Sequence, residues 1–319
     1  MNVCVSVCLA SSASGREEEE GVVMNKRSET WSFHLMLFPG MVFVALFSIV
    51  PMFGVVIAFQ DFNPSLGFLR SDWIGLSNFK YLFSLPDSKV IFTNTLFIAS
   101  MKIVFNLLVP LSFALMLHEL RLAAIKRWVQ TTVYLPHFLS WVILAGSLVE
   151  ILSLNGPVNR FVALFGIEPI LFLGSNSWFP FIVISSDVWK EFGFGTIIYL
   201  AALTGINPTL YEAARIDGAT RFQQLRYVTL PGVVTTVVLL ATLSLGNVLN
   251  AGFDQIFNLY NPLVYSSGDI IDTYVYRIGL VNTQFGFATA VGLMKSAISF
   301  ILIVVSYRLA YKLTNYRIF

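Results

Sequence analysis

The sequence predicts an all-α fold, a polytopic membrane protein with six transmembrane helices, and three observations carry that prediction. Of its 319 residues, 56% are hydrophobic and 12% charged, with a mean hydropathy of +0.74, too apolar for the two soluble domains that such a length could hold. Apolar runs near 34–59, 90–117, 128–151, 178–203, 232–253 and 285–311 each reach the roughly 20 residues that a helix needs to cross the hydrocarbon layer. The basic residues are biased to one side of these runs. With the N-terminus inside, twelve Lys and Arg fall in cytoplasmic segments and five on the opposite side. Basic loops resist export, so both termini and the segment 205–231 are expected in the cytoplasm. The net charge of +2 follows from this bias and does not indicate nucleic acid.

Ahead of the first run, residues 1–23 combine a weakly apolar start, a Ser-rich patch and Arg16 followed by four glutamates. A secretory signal would carry positive charge before its apolar stretch, and none stands there. These residues read as a disordered extension or an over-long start before Met24-Asn25-Lys26-Arg27, and residues 1–29 as a tail ahead of a membrane domain at 30–319. The two cysteines, Cys4 and Cys8, lie in that tail, so no disulfide framework is implied. The three histidines, His34, His118 and His137, are far apart in sequence and have no metal-binding motif around them.

Pro39, Gly40, Pro51 and Gly54 predict a bent first span. The outer loop 60–89 carries Trp73, Phe79 and Tyr81, which suit either anchorage at the membrane interface or contact with an extracytoplasmic partner. Lys102, Asn106 and Pro110 are expected to interrupt the second span, and a basic turn from Arg121 to Arg127 precedes the third. Gly156-Pro157-Val158-Asn159 opens a short amphipathic helix that ends near Gly166. In the last span Gly286, Ala288, Ala290 and Gly292 permit close helix approach.

Between the fourth and fifth runs lies a polar segment, Tyr211 to Pro231. Asn207 and Pro208 form an N-cap and a first helical residue, and Gly218 is a left-handed stop. A second helix restarts near Thr220 and runs toward Leu230, with Pro231 at the start of the next apolar run. The result is an elbow of two short helices.

The elbow also carries a resemblance. Glu212-Ala213-Ala214, three residues, Gly218, nine residues, Val228, one residue and Leu230-Pro231 resemble the EAA loop of membrane permease subunits of bacterial binding-protein-dependent ABC importers. Asp217-Gly218-Ala219 fits the same pattern, and Val228 replaces the usual Ile. Asp187 to Gly193, Tyr199 to Leu203 and Gly252 to Phe257 are similar to the maltose and polysaccharide (carbohydrate) branch. The resemblance implies the type I permease fold, with Glu212, Ala213, Ala214, Asp217, Gly218, Ala219, Leu230 and Pro231 coupling the spans to a separate ATPase. It implies two ATP-binding cassette subunits that hold ATP and Mg, an extracytoplasmic solute-binding protein, and residence in a bacterial cell membrane. This chain would bind no cofactor itself. One elbow docks one ATPase subunit, so a second permease subunit is implied.

Charges inside the hydrocarbon layer cost at least roughly 2.5–3.5 kcal/mol each, so they face a cavity or a partner. Counting along the helices puts Lys102, Asp187, Lys190, Glu191 and Lys295 in one layer near the midplane. Asp187, Lys190, Glu191 and Phe194 share one face of the fourth span, with Trp189 nearby. The fifth brings Ser244, Asn247, Asn250 and Asp254. Amides and carboxylates suit sugar hydroxyls, and flat aromatic rings suit the pyranose face. The plainer reading is that the lysines are held by Asp187 and Glu191 as ties between helices. Three lysines against two carboxylates leave one positive charge, which opens the option of an anionic oligosaccharide such as one built from uronic acids.

No phosphate-binding GxxxxGK[ST] loop occurs in the sequence, so the chain is expected to be a transport subunit without an ATPase site. A permease for another solute class, a membrane-embedded enzyme and a passive channel are the alternatives.

Overall fold

The structure, a computed structural model, describes residues 30–120 and 122–314. The expectations for the tail at 1–29 therefore lie outside the described residues. The chain divides into two units, residues 1–56 and 57–319. Helix α1, Thr30–Phe59, begins in the first unit. Pro51 has no N–H to return to the preceding turn. The helix widens ahead of it into a π segment, Ala45–Ile49, closed by the Val50 N–H reaching the Ala45 carbonyl. Of the prolines expected to bend this span, Pro51 adjoins this change of winding, whereas Pro39 lies in regular α-helix.

Within the second unit, the only strands among the described residues form a short antiparallel ladder, β1 (Gln60–Asp61) with β2 (Asp72–Trp73). Helix α2 (Ser77–Ser84) follows. Its Asn78 side chain donates to the carbonyls of Ala58 and Gln60 and pins the ladder. Helix α3 is continuous over 34 residues, Pro86–Glu119. The interruption expected at Lys102, Asn106 and Pro110 does not occur. Pro110 forfeits one helical bond, but its carbonyl accepts from Thr196 across the helix interface, and both polar side chains have partners on α7, Phe179–Thr204.

The third span is where expectation and structure differ most. Helix α4 (Ala123–Tyr134) ends in a 3-10 turn at Leu135–Phe138 that contains Pro136. The Ser140 hydroxyl then accepts the Ile143 N–H and starts α5, Trp141–Leu152. Helix α6, Pro157–Ala163, is the expected short one. The stretch long and apolar enough to cross is thus Trp141–Ala163 instead of 128–151.

Helix α7 meets α8, Pro208–Ile216, at 67°. Next come α9 (Arg221–Leu245), α10 (Phe253–Leu259), α11 (Ile271–Tyr276) and α12 (Phe285–Thr314). Five stretches among the described residues qualify as spans by length and composition: α1, α3, Trp141–Ala163, α9 and the Phe285–Arg308 part of α12; α7 joined with α8 makes the sixth. The fifth span is displaced from the expected 232–253. It continues out of the elbow through a π segment, Leu225–Thr229, just ahead of Pro231, and ends at Leu245, leaving 246–252 without regular helix.

Three apolar clusters hold the second unit. Ala114, Tyr199, Leu203 and Val233 join α3, α7 and α9 near the elbow. Ile98, Ala99, Phe179, Val183 and Ile256 join α3, α7 and α10. Leu82, Ile91, Tyr274, Phe287 and Val291 form the third. The stretch after Gly252 is folded inward, with Gln255, Ile256, Leu259 and Ile270 buried. Arg277, counted from sequence as an outer basic residue, pairs there with Asp269, which is 2% exposed, and lies 4.2 Å from the Tyr265 ring. Burial works against the Arg277 charge, but the hydrogen bond and charge of Asp269 outweigh it and raise the guanidinium pKa.

Candidate functional site

Two places draw the sequence-predicted residues together. The first is the elbow, assembled from local bonds. The Asn207 side chain accepts the Thr209 N–H at 3.0 Å and opens α8. The chain turns at Gly218, whose φ is +77°, and the Ala219 N–H returns to the Ala214 carbonyl at 2.8 Å. A Cβ at Gly218 would meet nothing within 4 Å, so the glycine is required by backbone conformation alone. Thr220 and Gln223 then form a reciprocal capping box at the start of α9.

Glu212 and Arg215 on α8, Arg221 on α9 and Glu119 at the end of α3 line a cavity of about 510 Å³. Arg221 and Glu119 approach to 3.5 Å, and the Tyr211 hydroxyl meets that of Thr229 at 3.0 Å. Ala213, Asp217 and Gly218 stand exposed, Ala214 and Ala219 are partly covered, and Ile216 is 86% exposed. Leu230 is half-buried and Pro231 exposed, within the helix that leaves the elbow. Of the expected coupling residues, Glu212 thus lines the cavity beside α3, and Ala213, Asp217, Gly218 and Pro231 are exposed around the turn.

The second place is a polar cavity of about 230 Å³ lined by Lys102, Asn106, Asp187, Ser244, Asn247, Asn250 and Gly252, among others. Lys102, 6% exposed, pairs with Asp187 at 3.0 Å and donates to the Ala251 carbonyl at 2.7 Å. It also contacts the Gln255 side chain. One ammonium thus fastens α3 to α7 and to the unwound residues after α9. Gly252, at φ +94°, belongs to the same arrangement, since a Cβ there would lie 2.8 Å from the Lys102 nitrogen. The Asn106 amide donates to Asp187 at 2.9 Å. Its buried Oδ1 has no hydrogen-bond partner, which is costly unless something else supplies a donor.

At the rim, Asn250 donates to Asn247 at 3.2 Å and accepts from Lys295 at 2.9 Å. Lys295 pairs with Asp272 on α11. The charge count made from sequence fails here. Asp272 is a third carboxylate that no periodicity assigned to this layer, and it cancels the single positive excess.

Lys190 and Glu191 form a separate centre. They pair at 2.9 Å, Lys190 donates to the His137 carbonyl at 3.0 Å, and Glu191 meets the His137 ring at 2.7 Å. They secure the broken connection between α4 and α5. Phe194 stacks on the same ring with centroids 4.1 Å apart, so its flat face already has a partner. Trp189 lines an apolar groove with Phe97, Phe105, Phe181 and Phe192 and does not line the polar cavity. Asp254 is exposed in the first turn of α10, also outside the cavity lining. The expected single layer is thus resolved into a cavity with its rim and a structural tie. Gln255, Gly252, Asp272 and His137 are the participants that helical periodicity missed. Of these, only Gly252 and Gln255 stood within a run carrying family resemblance.

The comparisons with known proteins agree with one another. The family described as "Binding-protein-dependent transport system inner membrane component" matches residues 106–315. The polygalacturonan/rhamnogalacturonan transport system permease protein YteP of Bacillus subtilis (strain 168) is 41% identical over 298 residues, 93% of each chain. A crystal structure of a bacterial ABC transporter involved in the import of the acidic polysaccharide alginate superposes with a TM-score of 0.84 at 36% identity, covering 92% of this chain and 99% of that one. The bacterial alginate ABC transporter in complex with an alginate pentasaccharide-bound periplasmic protein matches with a TM-score of 0.83 at 36% identity, covering 90% and 96%.

Proposed function

Given that this chain belongs to the family of binding-protein-dependent transport system inner membrane components, and so is a multi-pass permease subunit of an ABC importer, we propose that it forms half of the translocation path for an acidic oligosaccharide or polysaccharide. The observation that carries the reading is the polar cavity among the spans, with the buried Asn106 Oδ1 facing no donor of the chain itself. Amide oxygens, amide N–H groups and a paired lysine offer hydroxyl-rich cargo the hydrogen bonds that it gives up on leaving water. Asn247, Asn250 and Asp187 contact cargo in this reading, and Lys190, Glu191 and Phe194 position the spans. The acidic character is supported by what two relatives handle, polygalacturonan or rhamnogalacturonan in one and alginate in the other.

The elbow faces the cytoplasm in this proposal, together with both termini, in a bacterial cell membrane. It docks one of two separate ATP-binding subunits, which hold ATP and Mg. Cargo arrives from an extracytoplasmic solute-binding protein, and a second permease subunit completes the path. Closure of the ATPase pair moves the elbow, and alternating access follows as the spans tilt. Reconstitution tests this. ATP-dependent uptake of a uronic-acid oligosaccharide by the assembled importer, lost on Glu212→Lys with the permease still inserted, is the expected result. Uptake without an ATP-binding chain would overturn it.

A further inference from the structure

The three lysines of the membrane layer are not held alike. Lys102 is buried under three partners, on α7, in the stretch 246–252 and on α10. Lys190 is buried too, tied to a backbone carbonyl and to Glu191, whose side chain is 34% exposed but stands outside the lining of the polar cavity. Lys295 has a half-open setting. Its side chain and that of Asp272 are 16% and 27% exposed, and its second partner, Asn250, lines the polar cavity. A pair that is buried and fully bonded resists exchange, because freeing either charge leaves it desolvated. A pair at a polar rim exchanges one carboxylate for another of like chemistry at small cost.

Resting on the reading of the cavity as a cargo path, we propose that Lys295 is the charge-selecting residue and that Asp272 is its resident counter-ion, displaced when a cargo carboxylate arrives. Asp272 lies on α11, in the inward-folded stretch between α10 and α12, whereas Lys295 lies in α12. The ammonium therefore stays on a span while the competing carboxylate belongs to a separate short helix. A uronate carboxylate takes the place of the Asp272 oxygen on Lys295 with no proton moved, and Asn250, bonded to the same nitrogen, places a neighbouring hydroxyl.

The experiment compares wild type, Lys295→Gln, Asp272→Asn and the double variant in the assembled importer. It reads the apparent KM for a uronic-acid trisaccharide in ATP-dependent uptake. Lys295→Gln is expected to raise KM roughly tenfold, the loss of one charge-assisted contact. Asp272→Asn is expected to lower KM severalfold, because the competitor for the cation is gone, and the double variant is expected to behave as Lys295→Gln. A lowered KM cannot come from misfolding. If both single variants are impaired alike and the double variant recovers, the pair is a structural tie and the inference is overturned. If wild type carries a neutral trisaccharide but no uronide, the inference fails while the transport function stands, and if it carries neither, that reading fails too.

Discussion

The elbow and the polar cavity are built by opposite means. From Asn207 to Gln223 the turn and the helix starts of the elbow are closed by bonds between residues two to five apart, at Asn207–Thr209, Ala214–Ala219 and Thr220–Gln223, with Tyr211–Thr229 and the exposed Arg221–Glu119 pair as longer ties. The cavity is closed by bonds between distant residues, such as Lys102 to Ala251, Asn106 to Asp187 and Lys295 to Asp272. A locally bonded elbow can be pushed as one body without losing its shape. A cavity held by long-range ties changes only when helices move against one another. The link between them is α9, which starts in the elbow and ends beside the cavity, and α7, which meets α8 at the bend. In the proposed mechanism, motion imposed at one end is delivered through these helices as movement at the other.

The comparison breaks most severely at Lys102. Lys102→Ala leaves Asp187 largely buried beside Asn106 with its cation removed. The loss of one partner of a buried pair costs about 3–5 kcal/mol, so detergent-solubilised protein should melt well below wild type, whereas elbow variants should not. Next in size is Gly252→Ala. Its left-handed φ alone costs about 1–2 kcal/mol in a residue with a Cβ, and the new atom also presses on the Lys102 nitrogen. A substantial fall in thermal stability is expected, again confined to the cavity.

Gly218→Val carries the same conformational cost, about 1–2 kcal/mol, but with open space around it. It should lower the melting temperature by less than Gly252→Ala does and abolish uptake, measured in the reconstituted importer, because the two elbow helices no longer meet at their native angle. Thr220→Ala removes the capping box and should weaken the start of α9 by about 1 kcal/mol, read as faster amide exchange at residues 221–224. The smallest effect belongs to Glu119→Gln, since its pair with Arg221 is mostly exposed. Stability should stay within about 0.5 kcal/mol.

The same contrast explains what could be read from the residues alone. Asn207-Pro208, Gly218 and Thr220 each act on the backbone beside them, so the elbow's turn and its helix starts were legible. The six apolar runs were legible too, because bilayer thickness fixes helix length, and the type I architecture was legible only through the family resemblance of the elbow. The ends of the spans were less so. Proline at 136 broke a helix that hydropathy alone reads as whole, while proline at 110 did not, because Thr196 and Asp187 on α7 reward continuity across the interface. The cavity was only half legible. Helical spacing placed Asp187 and Asn250 in the polar layer, but nothing local joins Lys295 to Asp272, since their pairing depends on how residues 253–281 fold back. Trp189 shows the converse, a residue of fitting chemistry that stands two positions from Asp187, about 200° round the helix, and lines the apolar groove instead.

The central claim is that the elbow receives the force of a separate ATPase. Its most direct test is a crosslink from Ala213→Cys in a background where Cys4 and Cys8 are replaced by serine. In the assembled importer the thiol should join an ATP-binding chain, with a yield that changes between nucleotide-free and ATP-bound states, and a membrane-impermeant reagent should reach it only from the cytoplasmic side. Labelling from outside, or no crosslink to any ATP-binding chain in a transport-competent assembly, would contradict the account.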